Sequence, residues 1–289
     1  MAILGLVIKS AAPKVKALVE ELELWCKAKK HQLCYEERSA KLLGQNEPGV
    51  DRAVLVKKAD PIVILGGDGT LIGVARETNG ESPLMLGVKF GTLGFLTELS
   101  PEELIPSLDS IFEGSAQVAN RTLLKASVCT NKNKVFESQA VNDVVVQKGS
   151  RSKLLELDVY FNGRDLMRIR GDGLIFSTPT GSTAYSLAAG GSIAYPSLDV
   201  TLVTPICPHS LTYRPLILPG DVELEVRVPN YQGDVYVTVD GQVSYELHSA
   251  DLVKICQANN KIRFVRSPNL DYFTILRSKL NWGIPNKSE

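Results

Sequence analysis

No two cysteines in this 289-residue chain stand at C-x-x-C spacing, and the five present, Cys26, Cys34, Cys129, Cys207 and Cys256, are scattered and odd in number. That argues against a disulfide framework and a zinc site, and they read instead as small buried hydrophobes in a reducing compartment. No apolar run approaches the roughly 18 residues needed to span a bilayer. The opening MAILGLVIKS reads as a strand and lacks the basic flank and cleavage pattern of a signal peptide. A cytoplasmic chain with no membrane partner is expected. Net charge is missing too: 32 Lys plus Arg balance 32 Asp plus Glu, which removes the broad attraction of a nucleic-acid or anionic-lipid binder. Two nucleotide signatures are also absent. Without G-x-x-x-x-G-K-[ST] there is no P-loop, and Gly73 follows Gly67 and Gly69 one residue too late for G-x-G-x-x-G.

What is there divides into two halves of different period. Ala2 to Ile8 is a short apolar run; from Pro13, Val15, Leu18, Val19, Leu22 and Cys26 recur at helical spacing. Ile62 to Leu65, a helical stretch after Thr70, the strand LMLGVKF and a helix after Pro101 continue the alternation. This predicts a Rossmann-like α/β domain with a parallel sheet, whose ligands sit at the carboxyl ends of strands. From about Arg121 the period becomes two, as in LLELDVYF and DVELEVRV, with turns at FNGRD, LPGD and QANNK. A mostly antiparallel, β-sandwich-like second domain is expected over residues 121–266, after an α/β domain over 1–120 that residues 267–289 complete. The end, DYFTILRSKLNW, reads as a helix returning to the first domain, with Phe273, Leu276 and Leu280 on one side.

PIVILGGDGTLIG, residues 61 to 73, ends a buried strand in three glycines around one carboxylate. Gly66, Gly67, Gly69 and Thr70 suit a phosphate nest at a helix start, where backbone N–H groups can approach an anion unhindered. A tight turn capped by Asp68 is the plainer alternative, but capping explains neither the two glycines before Asp68 nor the one after it. A carboxylate beside a phosphate nest suits phosphoryl transfer, in which it accepts the proton of an attacking hydroxyl. Farther on, GDGLIFSTPTGSTAYSLAAGG, residues 171 to 191, crowds Ser177, Thr178, Thr180, Ser182, Thr183 and Ser186 around Pro179 and Gly181. Such a loop can hydrogen-bond ribose, amide and phosphate groups with little bulk. A solvated Ser/Thr-rich turn fits less well, because the stretch runs on into small apolar residues.

ILGGDGTLI resembles the glycine loop of NAD kinases, lipid kinases and, more distantly, phosphofructokinases. STPTGSTAY, VNDVVVQ at 141–147, TVDGQ at 238–242, FGTLGFLTE at 90–98 and CPHSLTYRPLILP at 207–219 are similar, in order along the chain, to NAD kinases in particular. The resemblance implies a kinase that moves the ATP γ-phosphoryl group to the adenosine ribose 2′-hydroxyl of NAD, giving NADP. It implies Asp68 as general base with Gly69 close to the ligand, Phe95 lining the adenine pocket, and Asn142 with Asp143 gripping ribose hydroxyls. At position 143 the family commonly has Glu, one methylene longer. Asp172, Thr180, Thr183, Ala184 and Tyr185 would hold the nicotinamide and its ribose, and NAD would span the crevice between the domains. Arg170, at a place where Arg accompanies preference for NAD over NADH, points to NAD. The family also implies Mg²⁺ or another divalent cation arriving with ATP, no metal held tightly by the protein, and a homo-oligomer, dimer or tetramer. His209 reads as a structural histidine in a turn. A lipid kinase of the diacylglycerol type and a non-catalytic NAD-binding regulator are the rival readings.

Overall fold

The computed structural model describes residues 1–92, 94–149, 154–230 and 233–282. The chain divides into two compact units, Met1–Asn120 with Ile262–Glu289, and Arg121–Lys261.

The first unit alternates strand and helix: β1 (Ile3–Ile8), α1 (Pro13–Lys29), β2 (Gln32–Tyr35), α2 (Glu37–Leu43), α3 (Arg52–Lys58), β3 (Ile62–Leu65), α4 (Asp68–Ala75), β4 (Leu84–Val88) and α5 (Leu104–Phe112). The strands lie parallel in the order β2-β1-β3-β4. Pro13 opens α1, where its missing N–H costs no helical bond. Val15, Leu18, Val19, Leu22 and Cys26 turn inward as their spacing predicts, joined by Trp25, and Lys30 ends the helix in the left-handed region at φ 59°. All four residues of β3 are at most 1% exposed, as a central parallel strand covered on both faces requires. Strand β4 stops at Val88, so Lys89 and Phe90, which the apolar run LMLGVKF places in the strand, instead begin the loop that follows it.

In the second unit run β5 (Val118–Thr130), β6 (Asn133–Ala140), β7 (Asp143–Lys148), β8 (Leu155–Phe161), β9 (Arg164–Gly171), β10 (Gly173–Ser177), α6 (Tyr185–Ala188), β11 (Val200–Ile206), β12 (Leu216–Pro219), β13 (Leu224–Arg227), β14 (Val235–Val239), β15 (Val243–Glu246) and β16 (Asp251–Val265). One sheet has the order β12-β11-β10-β7-β14-β15, wholly antiparallel. Another pairs β16-β13-β8-β9, also antiparallel. Val144, Val146, Phe176 and Val237 from the first sheet and Leu157, Val159, Leu224 and Val226 from the second share one core, which makes the unit a β-sandwich. The period-two residues Leu155, Leu157 and Val159 are buried as expected.

The last residues of β16, Arg263 and Phe264, pair in parallel with β4, and α7 (Tyr272–Leu280) follows in the first unit. Asp271 caps α7 through the Phe273 and Thr274 amides. Its inward face differs from the expected one: Ile275 and Leu276 are buried, while Phe273 is 55% exposed. Phe273 lies in the first turn, where its ring packs edge-on against Tyr272 at 5.6 Å and not against the core.

Candidate active site

Gly66 and Gly67 alone join β3 to α4. Neither adopts a positive φ, so these glycines serve clearance and not left-handed geometry. A Cβ on Gly66 would stand 2.7 Å from Thr70 Oγ1. Gly67 is the N-cap of α4 and makes no side-chain cap. The loop therefore sets a helix N-terminus at the carboxyl end of a central strand, an arrangement that favours anions.

Asp68, the first residue of α4, does not cap its own helix. Its carboxylate reaches the segment after β4, where Oδ2 accepts the Phe95 amide at 2.8 Å. Oδ1 accepts the Leu96 amide at 3.2 Å, the Thr97 amide at 3.0 Å and the Thr97 hydroxyl at 2.9 Å. Gly94 is pressed against the same group: a Cβ there would come within 1.9 Å of Oδ1. Asp68 and Phe95, 27 positions apart, are thus brought together. Ionised carboxylates offer about four acceptor positions. Three donors occupy Oδ1 and one occupies Oδ2, so Oδ2 retains room for another.

A second cluster forms where β7 and β10 pair, with Asp143 opposite Ser177. The Asn142 carbonyl accepts the Thr178 amide at 2.9 Å and the Ser177 hydroxyl at 3.1 Å. A Cβ on Gly181 would fall 2.1 Å from that oxygen, so only glycine lets the two loops meet. Asp240, at φ 50°, clamps the same turn from a third strand end. Its carboxylate accepts the amides of Val141, Asn142 and Asp143 at 2.9, 2.7 and 3.1 Å. Asp143 is 5% exposed, and no side-chain or backbone donor among the described residues bonds its carboxylate. Burial, and after it the Asp240 charge, push the Asp143 carboxyl up to about 7.

The hydroxyl-rich loop departs from the expectation that its hydroxyls face a ligand. Thr178 Oγ1 donates to the Val141 carbonyl at 2.6 Å and Ser182 Oγ to the Pro179 carbonyl at 2.6 Å. Ser186 Oγ and Thr204 Oγ1 are 2.8 Å apart, and Thr183 Oγ1 donates to the Thr180 carbonyl at 3.3 Å. These short side chains satisfy the polar backbone of a buried, nearly strand-free loop. Among the described residues the Thr180 hydroxyl has no such bond, and Tyr185, at the start of α6, is 42% exposed. Ala184 lies between them in an irregular conformation, φ −103°, ψ −127°.

The ATP-NAD kinase N-terminal domain matches residues 4–116, and the ATP-NAD kinase C-terminal domain matches residues 141–267. The NAD kinase of Geobacter metallireducens is 40% identical over 271 residues, which covers 94% of this chain and 95% of that one. This chain belongs to the NAD kinase family. Also similar is the NAD kinase of Magnetococcus marinus, at 37% identity over 97% of this chain and 93% of its own. The crystal structure of yeast NADH kinase complexed with NADH superposes with a TM-score of 0.89 at 26% identity, covering 100% of this chain and 90% of that one. An NAD kinase from Archaeoglobus fulgidus in complex with ATP shares the fold at TM-score 0.73 and 24% identity, over 96% and 98% of the two chains. The lipid-kinase and non-catalytic readings gain no support. No helix among the described residues is long and apolar enough to cross a membrane.

In this NAD kinase, Asp172 and Arg170 both carry partners. Asp172 pairs with Lys148 at 2.9 Å and Arg170 with Glu156 at 3.0 Å. Arg170 sits on β9, directly opposite Glu156 on β8, and its carbonyl accepts the exposed His209 amide at 2.8 Å. Thr97 and Asp240 are the site residues that sequence reasoning missed. The motif TVDGQ marks the second; only its position in FGTLGFLTE hints at the first.

Proposed function

We propose that this NAD kinase transfers the γ-phosphoryl group of ATP to the 2′-hydroxyl of the adenosine ribose of NAD, releasing NADP and ADP. The observation that carries the site assignment is the buried Asp143 carboxylate without a donor, beside Asn142. Such a group is costly until hydroxyl donors reach it, and a ribose brings adjacent hydroxyls. In the glycine loop, Asp68 Oδ2 is the acceptor with capacity left for the proton of the attacking hydroxyl. The ribose hydroxyl oxygen bonds the γ-phosphorus as the bond from phosphorus to the β–γ bridging oxygen breaks, and the hydroxyl proton passes to the Asp68 carboxylate. The N-terminus of α4, with Gly66, Gly67, Gly69 and Thr70, would hold the phosphate charge. Positioning and charge neutralisation dominate such reactions.

Phe95 would line the adenine pocket, while Thr180, Thr183, Ala184, Tyr185 and Asp172 would face the nicotinamide end. Arg170 favours NAD over NADH in this reading. A divalent cation such as Mg²⁺, when bound, would neutralise the β and γ oxygens. Such a cation would arrive on the phosphates, held by their oxygens and by waters. We further place the enzyme in the cytoplasm as a dimer or tetramer, which light scattering tests. Initial rates with NAD, NADH and a diacylglycerol, each with ATP and with polyphosphate, test the activity. NADP formation from ATP and NAD is expected, and phosphorylation of the lipid alone would sink the reading.

A further inference from the structure

Strand β16 brings the chain back into the first unit, where Arg263 and Phe264 pair with β4, and Arg266 follows directly after it. The Arg266 guanidinium bonds in two directions. Its Nε donates to the Glu98 carboxylate at 3.1 Å and its Nη2 to the Leu270 carbonyl at 3.2 Å, while the Arg266 amide donates to the Gln117 carbonyl at 2.9 Å. Glu98 is 6% exposed, and a carboxylate at that depth is costly unless a cation and donors compensate it.

Glu98 is the chain neighbour of Thr97, whose amide and hydroxyl both bond Asp68 Oδ1. Residues 94–98 belong to no helix or strand, so what holds them on each side decides where these donors stand. On one side Thr97 packs against β4 and α4: a Cβ on Gly87 would lie 2.9 Å from Thr97 Cγ2 and 2.8 Å from Leu71 Cδ1. On the other side Arg266 holds Glu98. Beyond it the Glu103 carboxylate gathers the Ser100 amide at 2.8 Å, the Ser267 hydroxyl at 2.6 Å and the Asn269 side-chain amide at 2.9 Å. The segment that supplies the Asp68 donors is therefore clasped by the residues that follow β16.

We infer that Arg266 is a positioning residue for Asp68: by holding Glu98 it fixes the Leu96 and Thr97 donors, and through them the carboxylate that takes the ribose hydroxyl proton. This inference rests on the reading of Asp68 as the general base. Without the guanidinium, Glu98 is a buried charge that has lost its cation, and the chain at 97–98 must shift to bring it to water. Two of the donors to Oδ1 are the backbone amides of Leu96 and Thr97, so such a shift turns the Asp68 carboxylate. A displacement of about 1 Å at a catalytic group costs as much as about 10²-fold in rate. Asn142 and Asp143, assigned to the ribose, lie in the second unit, so turnover should suffer more than NAD binding.

The test is a double-mutant cycle on kcat with Arg266→Met and Asp68→Asn, assayed at saturating ATP and NAD well below the unfolding temperature. Arg266→Met alone should lower kcat by about tenfold or more, with the KM for ATP and for NAD within about threefold of wild type. In the Asp68→Asn background the same substitution should cost less than about twofold, because a group that acts through Asp68 then has nothing left to position. Arg266→Lys keeps a charge against Glu98 and should recover most of the loss. Where Arg266→Met alone fails to fold, the pair Glu98→Gln with Arg266→Met, which leaves no unpaired buried charge, carries the same cycle. A kcat within about twofold of wild type, or an equal loss in both backgrounds, overturns the inference and leaves the general-base reading intact. Full turnover by Asp68→Asn overturns that reading, and this inference with it.

Discussion

Asp68 and Thr97 are joined twice, since Oδ1 of the carboxylate accepts both the Thr97 amide at 3.0 Å and the Thr97 hydroxyl at 2.9 Å. Through this pair the glycine loop is tied to the segment after β4. Thr97 is fully buried, and Thr97→Val keeps its shape while removing the hydroxyl. Hydrogen bonds to charged groups contribute about 1.5–3 kcal/mol. The variant should stay folded, lose stability on that scale, and lose several-fold in kcat as the carboxylate loosens. Thermal unfolding beside steady-state rates checks this, and unaltered kcat with lowered stability would reduce Thr97 to a packing residue.

Gly94→Ala is the harsher change. Its new methyl would sit 1.9 Å from Asp68 Oδ1, so the carboxylate or the backbone must shift. We predict a loss of turnover of about 10²-fold or more, the scale seen when a catalytic group is misplaced by about 1 Å. Retention of full activity would mean that Asp68 has no fixed place in the reaction.

Asp143 gives a pH prediction. Its folded pKa is raised from 3.8 to about 7, first by burial and then by Asp240, so the folded chain keeps a proton that the unfolded chain releases. The linked stability is fully present below the unfolded value and is lost as pH rises through about 7. Between about pH 5 and pH 8 the ligand-free protein should therefore lose on the order of a few kcal/mol. Asp143→Asn should flatten that slope. Parallel stability curves for the two proteins would contradict the buried, donor-less carboxylate. Saturating NAD should reduce the slope in wild type.

Arg170→Gly breaks an exposed ion pair with Glu156, and exposed pairs contribute only about 0–1 kcal/mol. Stability should barely change, while the ratio of kcat/KM for NADH to that for NAD should rise. An unchanged ratio would leave Arg170 a strand-end surface residue.

The parallel and antiparallel halves were legible because their periods differ: Val15, Leu18 and Leu22 repeat helically, whereas Leu155, Leu157 and Val159 alternate, and all six are buried. The glycine loop was legible as a motif. What escaped is non-local. Asp240 reaches Asn142 across 98 positions and Thr97 reaches Asp68 across 29, and neither distance leaves a periodic trace. Composition also misled at the hydroxyl-rich loop, because a serine such as Ser182 looks the same whether it faces a ligand or, as here, the Pro179 carbonyl three residues back. Phe273 failed for a related reason: a nine-residue helix allows more than one apolar stripe, and tertiary packing chose Ile275 and Leu276.

Asp68→Asn offers the most direct test, with turnover at saturating ATP and NAD measured alongside NAD binding by calorimetry. If the carboxylate takes the proton of the ribose hydroxyl, the variant should still bind NAD while kcat falls by about 10²–10⁴-fold, the usual contribution of a general base. Turnover within a few-fold of wild type would contradict that role, and would leave Asp68 only its structural bonds to Phe95, Leu96 and Thr97.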